Sequence, residues 1–393
     1  MSVSRDYDDL LNTRCLRLES ACSAITARRQ RPCSSPGPAP APAPAPAPGG
    51  NEPAPPPDDG RTFTVDAAYA AGEPVTRSWT AALNEIEKRS EGRIEVTHYY
   101  AGSLLTFPEI PRGMVGGVAQ WAYLPTVNYP DILPLNCRIL QLPFMGLQDP
   151  LEAAELWMQI YDEFPEMAEE LAQFNMMAIA ASPLYGYQMH LVDKKEVRLP
   201  SDLAGRSIVP YKPELIPMLA SYGAAGTYIP PGQMYENLER AVIDGYINTW
   251  AFANWFGLHE FLNQHVLFGD YGMFQEFFIY VIAKDFYESM PAHLRQLWHD
   301  IHRNETYAEF DGERGYEFFW RETDSFIQWQ MDFARNKNNL FVHLTPEEIQ
   351  VWKDALVGLH EQVLDDINDQ RGDQVATAIY NRARELLTQK YGS

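Results

Sequence analysis

The chain has 393 residues, of which 46% are hydrophobic, so it is long enough for sizeable cores and for two or more ordinary domains. Its formal net charge is −22, and a field of that sign repels nucleic-acid phosphates and anionic lipid. Nucleic acid is therefore not expected as a partner, and the absence of any run of 18 apolar residues predicts no direct membrane span.

The N-terminal part differs in composition from the rest of the chain. Alanine and proline alternate over residues 38–48, a pattern that favours an extended tether burying almost no surface. We therefore predict a disordered N-terminal segment with a Pro/Ala-rich linker, residues 1–60, followed by one folded unit, residues 61–393.

Cysteines and charges constrain the export route only weakly. Cys15, Cys22 and Cys33 lie in the N-terminal segment, and Cys137 alone lies in the body, so no disulfide can form within the body. Charged residues interrupt every apolar stretch of residues 1–33, which argues against an ordinary secretory signal. Cys22 is a weak match to a lipidation site. The favoured explanation for the missing secretory signal is that the true start of the protein differs from the translated one.

Behind the tether, strand-like and helix-like patterns alternate, which indicates an α/β fold. In chain order, strands are predicted at 63–69, 94–100, 119–124, 176–182, 207–211 and 277–283, and helices at 151–161, 234–241 and 292–301. Near the C-terminus, Thr345 is followed by a proline and two glutamates, which form a capping box. This box predicts a helix with Ile349, Trp352, Leu356 and Leu359 on one face.

Motifs of the main enzyme classes are absent from the sequence: Gly-x-Ser-x-Gly, the phosphate-binding Gly-x-x-x-x-Gly-Lys and His-Glu-x-x-His. His299, His302 and Glu305 recur three apart on a predicted helix, a spacing that could present ligands to a divalent ion. On an amphipathic helix such residues usually form the solvated face. We therefore predict no metal, no cofactor and no catalysis, and keep a cryptic hydrolase only as an unfavoured alternative.

Four short motifs carry a family resemblance. They are Ser-Asp-Leu-Ala-Gly-Arg-Ser-Ile-Val-Pro-Tyr at 201–211, the Pro-Gly helix start and Asp-Gly turn within 230–245, Gly-Arg-Ile-Glu-Val at 92–96 and Leu-Pro-Phe at 142–144. Together they resemble the solute-binding component of TRAP (tripartite ATP-independent periplasmic) transporters, the DctP-like family of dicarboxylate receptors. The resemblance extends from about residue 63 to the C-terminus.

The resemblance implies a fold and a function. The fold is a two-lobed α/β periplasmic binding protein, in which the chain crosses between the lobes more than once and the ligand lies in the cleft between them. The implied partners are a small-molecule solute, captured by lobe closure, and the TRAP membrane permease subunits. The implied location is the periplasm, with membrane tethering through the N-terminal linker as one option. The alternative is a small-molecule sensor that docks on a signalling receptor.

Two arginines that clamp a carboxylate in most of this family have no counterpart here. In the family the first arginine follows a Gly-aromatic pair, and this chain has Gln188 at that position. The second arginine lies in the strand after an Asp-Leu-x-Gly turn, and alignment on that turn puts Val209 at its position. Valine offers neither the charge nor the paired donors of a guanidinium. Unless Arg206 or Lys212 reaches the cleft, a carboxylate that enters it would lose its water without gaining a cation as partner. We therefore expect a neutral or amine-bearing solute.

Aromatic residues at strand ends supply further candidates, because aromatic faces bind sugar rings and attract cations by about 0.5–2 kcal/mol each. Glu73 follows the first strand and could supply a counter-charge. In the family an asparagine after the Asp-Gly turn often faces the ligand. The predicted ligand-binding residues are Tyr69, Glu73, Tyr123, Tyr187, Gln188, Val209, Tyr211, Asn248 and Trp250.

Overall fold

The computed structural model describes residues 55–72, 76–184, 186–269, 271–305 and 312–392. All of them belong to one unit, which begins at Gly49. Most of the predicted tether, residues 1–54, lies outside the described residues, and residues 55–62 form neither helix nor strand.

Eleven strands occur in the part of the chain that the structure describes. They are β1 (Phe63–Ala68), β2 (Ile94–Tyr99), β3 (Trp121–Pro125), β4 (Met176–Pro183), β5 (Gln188–Leu191), β6 (Ser207–Val209), β7 (Ala225–Gly226), β8 (Gly245–Asn248), β9 (Gln264–Leu267), β10 (Phe277–Ala283) and β11 (Leu340–His343).

The strands form two separate sheets. The first has the order β2-β1-β3-β10-β4, and the second has the order β11-β9-β5-β8-β6-β7. Within the first sheet β1 is parallel to β2 and β3, whereas β10 is antiparallel to β3 and β4. Within the second, β5 is antiparallel to β8 and β9, and β6 is parallel to β8. All seven residues of β10 are buried, as is typical of a strand covered on both faces.

Helices cover both sheets. They are α1 (Arg77–Arg89), α2 (Ile110–Val115), α3 (Pro134–Cys137), α4 (Pro150–Glu163), α5 (Pro165–Ala172), α6 (Ile216–Ser221), α7 (Met234–Glu239), α8 (Trp250–Trp255), α9 (Lys284–Glu288), α10 (Ala292–His299), α11 (Gly315–Asn336), α12 (Pro346–Asp354), α13 (Leu359–Arg371) and α14 (Val375–Tyr391). A π-helical turn, Asp300–Asn304, continues α10. Among the described residues, none of these helices combines the length and the apolar content needed to cross a membrane.

Local sequence explains where several helices begin. The Asp149 side chain accepts hydrogen bonds from the N–H groups of Leu151 and Glu152, and a proline occupies the first position of α4. At α12, Thr345 Oγ1 accepts from the Glu348 N–H while the Glu348 carboxylate accepts from the Thr345 N–H. This is the predicted capping box, and both motifs satisfy N–H groups that have no partner within the helix.

The two sheets define two lobes, each with its own hydrophobic core. Lobe 1 contains the first sheet and lobe 2 the second. The link from β4 to β5 lies beside the link from β9 to β10: the Tyr187 N–H donates to the Phe274 carbonyl at 2.9 Å, and the Met273 N–H donates to the Tyr187 carbonyl at 2.8 Å. We name this pair of segments, residues 186–188 and 271–276, the crossover.

Helix α11 provides a further connection between the lobes. It is the longest described helix, at 22 residues, and it packs against α1 and β4 of lobe 1 and against α8 of lobe 2. The chain therefore passes between the lobes more than once, as the resemblance implies, and a long helix contacts both of them.

The sequence-based predictions hold best for long apolar elements. All six predicted strands and all three predicted helices are present, with ends shifted by at most two residues. The prediction of one helical face from Ile349 to Leu359 is wrong, because α12 ends at Asp354 and Gly358 adopts φ +83° before α13 begins. Strands β5, β7, β8, β9 and β11 were not predicted, since four residues or fewer show little alternation.

Candidate ligand-binding site

Five of the predicted ligand-binding residues gather at one edge of the second sheet. Gln188 begins β5 and lies directly opposite Asn248, which ends the antiparallel strand β8. Val209 ends β6, the strand parallel to β8 on its other side. Tyr187 and Tyr211 adjoin these strand ends in the chain. The carboxyl ends of β6 and β8 thus point to the same side, which is where ligands bind in open α/β sheets.

Gln188 is buried, and both ends of its amide are hydrogen-bonded to backbone. Its Oε1 accepts from the Phe268 N–H at 2.8 Å, and its Nε2 donates to the Gly269 carbonyl at 3.2 Å. The side chain therefore holds the segment after β9 against the start of β5. Each amide atom retains a second hydrogen-bonding position, because the oxygen has two lone pairs and the nitrogen two hydrogens.

Val209 and Tyr211 present apolar surface rather than charge. Val209 is fully buried in the core of lobe 2. Tyr211 has a left-handed backbone conformation, φ +50°, and this turns the chain directly after β6. The Tyr211 hydroxyl donates to the Ile229 carbonyl at 3.0 Å, and its ring packs edge-on against Phe252.

Asn248 organises the backbone at the end of β8. Its Oδ1 accepts from the Thr249 N–H at 2.6 Å, and its carbonyl lies 3.2 Å from Nε2 of the buried His190. The amide nitrogen of Asn248 is a donor suited to a polar ligand group.

Tyr187 makes a hydrogen bond within the crossover. Its hydroxyl donates to Glu276 Oε2 at 2.5 Å, and its ring stacks on Phe274 with centroids 4.3 Å apart. Burial raises the pKa of the Glu276 carboxyl, while the Tyr187 hydrogen bond and the nearby Lys212 charge act in the opposite direction. Burial also raises the pKa of Tyr187 well above its usual value, so the phenol keeps its proton.

Three charged residues and one glutamine meet at the junction between the lobes, and none of them was among the predicted site residues. Lys212 Nζ, from lobe 2, donates to Gln141 Oε1 of lobe 1 at 2.5 Å. Arg138 of lobe 1 pairs with Glu214 of lobe 2 at 3.3 Å. These four residues line a small cavity of about 10 Å³. We name Arg138, Gln141, Lys212 and Glu214 the junction group.

Arg206 and Lys212, the two cations that could reach the cleft according to the sequence, lie in different places. Arg206 forms a two-pronged ion pair with Asp193, with N–O distances of 2.6 and 3.1 Å, on lobe 2. Lys212 reaches the junction, where burial lowers its pKa and the Glu214 and Glu276 carboxylates oppose that change. Glu276 itself precedes the apolar strand β10, and a lone acid in an apolar run is a sequence signal that could have identified it.

Tyr69 and Tyr123 lie in an aromatic cluster of lobe 1. Tyr69 stacks on Tyr100 with ring centroids 4.9 Å apart. The Tyr123 ring lies 3.8 Å from that of Trp79, and its hydroxyl accepts from the Ala71 N–H at 3.0 Å. Both side chains are fully buried, and burial raises the pKa of Tyr123. Their described contacts fix the segment after β1, which adjoins the position of Glu73.

The two remaining predicted site residues are Trp250 and Glu73. Trp250 begins α8 and packs on His265, with centroids 4.4 Å apart, and on Phe341. Glu73 lies outside the described residues.

The stretch with His299 and His302, at the end of α10 and in the π-helical turn, is more buried than predicted. His302 is only 1% exposed and its Nδ1 donates to the Trp298 carbonyl at 2.9 Å, so the expected solvated face is wrong for this residue. His299 Nε2 lies 3.0 Å from the Tyr287 hydroxyl, and Glu305 pairs with Arg89. Among the described residues no three potential ligands are grouped as a metal site.

Two α/β lobes with separate cores, a double crossover and polar groups at the junction define the class of two-lobed solute-binding proteins. A family model for bacterial extracellular solute-binding protein, family 7 (DctP), matches residues 67–366. The chain therefore belongs to the DctP family, a family of transport receptors rather than enzymes, and the resemblance found in the sequence is confirmed.

Solved structures share this fold at low sequence identity. A TRAP periplasmic solute-binding protein from Desulfovibrio salexigens matches with a TM-score of 0.69 and 17% identity, covering 84% of this chain and 97% of its own. One from Rhodoferax ferrireducens, in complex with copurified benzoate, matches at 0.68 and 18%, covering 84% and 98%. A third, from Chromohalobacter salexigens with bound D-glucuronate, matches at 0.64 and 17%, covering 81% and 99%.

Proposed function

We propose that this TRAP solute-binding receptor captures its solute at the junction between the lobes, beside the edge of the second sheet. The observation that carries the proposal is the link between the sheet end and the junction group: Tyr187, next to Gln188, stacks on Phe274, and Lys212 Nζ lies 5.5 Å from the centre of the same ring. Lys212 in turn bonds to Gln141 of lobe 1. A ligand stabilises the closed arrangement only through contacts that differ between the open and closed states. Residues from both lobes meet this requirement.

The two lobes contribute different surfaces to the proposed site. Lobe 2 and the crossover supply the hydrogen-bonding groups of Tyr187, Gln188 and Asn248, with the buried side chains of Val209 and Tyr211 beside them. The buried rings of Tyr69 and Tyr123 form the aromatic wall on the lobe 1 side. Trp250 packs on His190, whose Nε2 donates to the Asn248 carbonyl.

The solute in this proposal is neutral or amine-bearing. Each junction cation already has a carboxylate neighbour: Arg138 pairs with Glu214, and Lys212 lies close enough to Glu214 and Glu276 for both to favour its charged form. An entering acid would compete with these carboxylates, whereas an ammonium group would gain the Glu276 carboxylate. Glu276 would then supply the counter-charge for which the sequence suggested Glu73.

An organic acid is the second candidate, and a specific observation favours it. Lys212 comes from lobe 2 and is bonded across the junction to a neutral amide rather than to a carboxylate oxygen. If a ligand carboxylate replaced the Gln141 oxygen as the partner of Lys212, both partners would be charged and the hydrogen bond would gain the attraction between opposite charges. Structurally similar receptors hold benzoate and D-glucuronate.

Thermal-shift screening with separate panels of acids, polyols and amines tests the choice of solute. We expect polyols or amines to raise the melting temperature, with calorimetry confirming one site per chain. A rise with acids alone would reject the neutral or amine-bearing solute and support the second candidate. The variants Glu276→Gln and Lys212→Met then locate the binding charge.

Delivery to a membrane permease from the periplasm completes the proposal. The DctP family is extracellular by its description, and the Pro/Ala-rich segment suits a tether between a membrane anchor and the folded unit. Cell fractionation of the wild type and of Cys22→Ser tests this step. Release of the variant into the soluble periplasmic fraction would support lipid tethering, and an unchanged distribution would reject it. Co-purification with permease rather than with a signalling receptor would separate transport from the sensor alternative.

A further inference from the structure

A small cavity beneath helix α11 lies apart from the proposed solute site. It has a volume of about 20 Å³ and is bounded by α8, by α11 and by the segment that leads into β9. Trp250 and Phe333 provide aromatic walls, and Gln330, His265 and Asn339 provide polar atoms. A single water molecule needs about 10–15 Å³ by this kind of measure, so the cavity admits water but no organic solute.

The polar atoms of this cavity are incompletely satisfied. Gln330 is 7% exposed, and within the described part of the chain neither its Oε1 nor its Nε2 has a hydrogen-bond partner; the Oδ1 of Asn339 has none there either. A buried polar group left unpaired costs about 1–3 kcal/mol. Three such atoms around one cavity require a guest that both donates and accepts hydrogen bonds.

Asn339 also ends a chain of hydrogen bonds that starts at Asn248. Asn339 Nδ2 lies 2.9 Å from His265 Nε2, His265 Nδ1 lies 2.8 Å from His190 Nδ1, and His190 Nε2 lies 3.2 Å from the Asn248 carbonyl. An amide nitrogen only donates and a carbonyl oxygen only accepts. The direction is therefore fixed: Asn339 donates to His265, His265 to His190, and His190 to Asn248. We name these four residues the histidine relay.

Both histidines are neutral in this arrangement. His190 and His265 are directly opposite each other on β5 and β9 and are fully buried. Burial lowers the pKa of His190 to about 3 and that of His265 well below its usual value. A cation in the cavity would have no carboxylate among the lining residues, which also favours an uncharged guest.

We propose that the cavity is a binding site for ordered water, which bridges the side-chain amide of Gln330 on α11 to the side-chain oxygen Oδ1 of Asn339. The bridge joins the histidine relay to the helix that contacts both lobes. Water matches the volume, supplies both donors and acceptors, and needs two to four polar partners of the kind present here.

High-resolution crystallography of the full chain tests this site. In the wild type we expect a density peak about 2.7–3.2 Å from both Gln330 and Asn339 Oδ1. The peak should vanish in Gln330→Met, which keeps the side-chain length but removes both amide atoms. It should persist in the matched control Gln328→Met, an exposed position two residues earlier on α11. An empty wild-type cavity, or an unchanged peak in Gln330→Met, would overturn the proposal.

Oxygen-17 magnetic relaxation dispersion provides a solution measurement that counts long-lived buried waters. We expect the count to fall by at least one in Gln330→Met and to equal the wild-type value in Gln328→Met. Equal counts in all three proteins would contradict the site. Because the wild-type crystal already decides whether the cavity is filled, a variant that fails to fold does not remove the test.

Discussion

The two lobes bury their polar and aromatic side chains in different ways. In lobe 1, Tyr69 and Tyr123 lie within a cluster of rings, and the Tyr123 hydroxyl supports the backbone at Ala71. In lobe 2 and the crossover, Gln188 and Tyr187 sit at strand ends or links and bond across to other segments. The aromatic residues at strand ends of lobe 1 thus pack on one another, whereas those hydrogen bonds between separate segments lie in lobe 2 and the crossover.

The largest expected effect tests how closely the crossover segments pack. A Cβ at Gly186 would lie 1.4 Å from the Tyr271 carbonyl oxygen, whereas a Cβ at Gly113 of lobe 1 would meet only the Leu105 side chain, at 2.4 Å. Backbone cannot rotate away as a side chain can. We expect Gly186→Ala to lose more than about 4 kcal/mol of unfolding free energy and Gly113→Ala about 1–3 kcal/mol, measured by urea titration.

Gly232→Ala is the control for this pair, because no atom of the residues that the structure describes lies within 4 Å of its Cβ position. Its stability should match that of the wild type. Equal stability of Gly186→Ala and Gly232→Ala would show that the crossover is looser than the structure indicates.

The next largest effect concerns the charge that binds the solute. If the solute carries an amine, Glu276→Gln should weaken its binding about 10- to 100-fold, because hydrogen bonds to charged groups are worth about 1.5–3 kcal/mol. Lys212→Met should change that affinity much less. Isothermal titration calorimetry gives both values, and Glu239→Gln and Lys195→Met are exposed controls of the same charge. A large loss in Lys212→Met with none in Glu276→Gln would instead indicate an acid.

Acidification should destabilise both lobes through their buried histidines. Burial lowers the pKa of His302 in lobe 1 to about 4 and that of His190 in lobe 2 to about 3, against about 6.5 for an unfolded chain. Between these values the unfolded state binds protons that the folded state does not. Stability should therefore fall as pH drops below 6.5, by about 1.4 kcal/mol per unit for each histidine, and level off below the folded pKa.

Urea titrations at a series of pH values test the histidine effect. His302→Gln retains a donor for the Trp298 carbonyl but cannot titrate. The slope of its unfolding free energy against pH should therefore correspond to about one proton fewer taken up on unfolding than in the wild type. An identical slope between pH 6 and 5 would mean that His302 is protonated in the folded state.

The smallest expected effect shows whether the Tyr123 hydroxyl of lobe 1 only supports the fold or also contacts the solute. Tyr123→Phe removes the acceptor of the Ala71 N–H, so unfolding free energy should fall by about 1 kcal/mol while solute affinity stays within about twofold of wild type. Chemical denaturation and calorimetry provide the two readouts. A tenfold loss of affinity with unchanged stability would place the hydroxyl against the solute.

Much of the fold could be predicted because its signals are local. The apolar run of β10, the cap at Thr345 and the turn motifs that carry the family resemblance all depend on residues close together in the chain. Short strands such as β5 and β8 could not be predicted, although they form the centre of the second sheet. Their four residues acquire strand geometry from pairing partners that are far away in the sequence.

The sequence by itself indicated the family and the α/β fold class, because motifs and apolar periodicity are properties of residues close together in the chain. Only the tertiary structure decided which polar groups meet at the junction. Lys212 and Gln141 are 71 residues apart, and Tyr187 and Glu276 are 89 apart. Such pairs form only after the chain has crossed between lobes, so no local pattern encodes them.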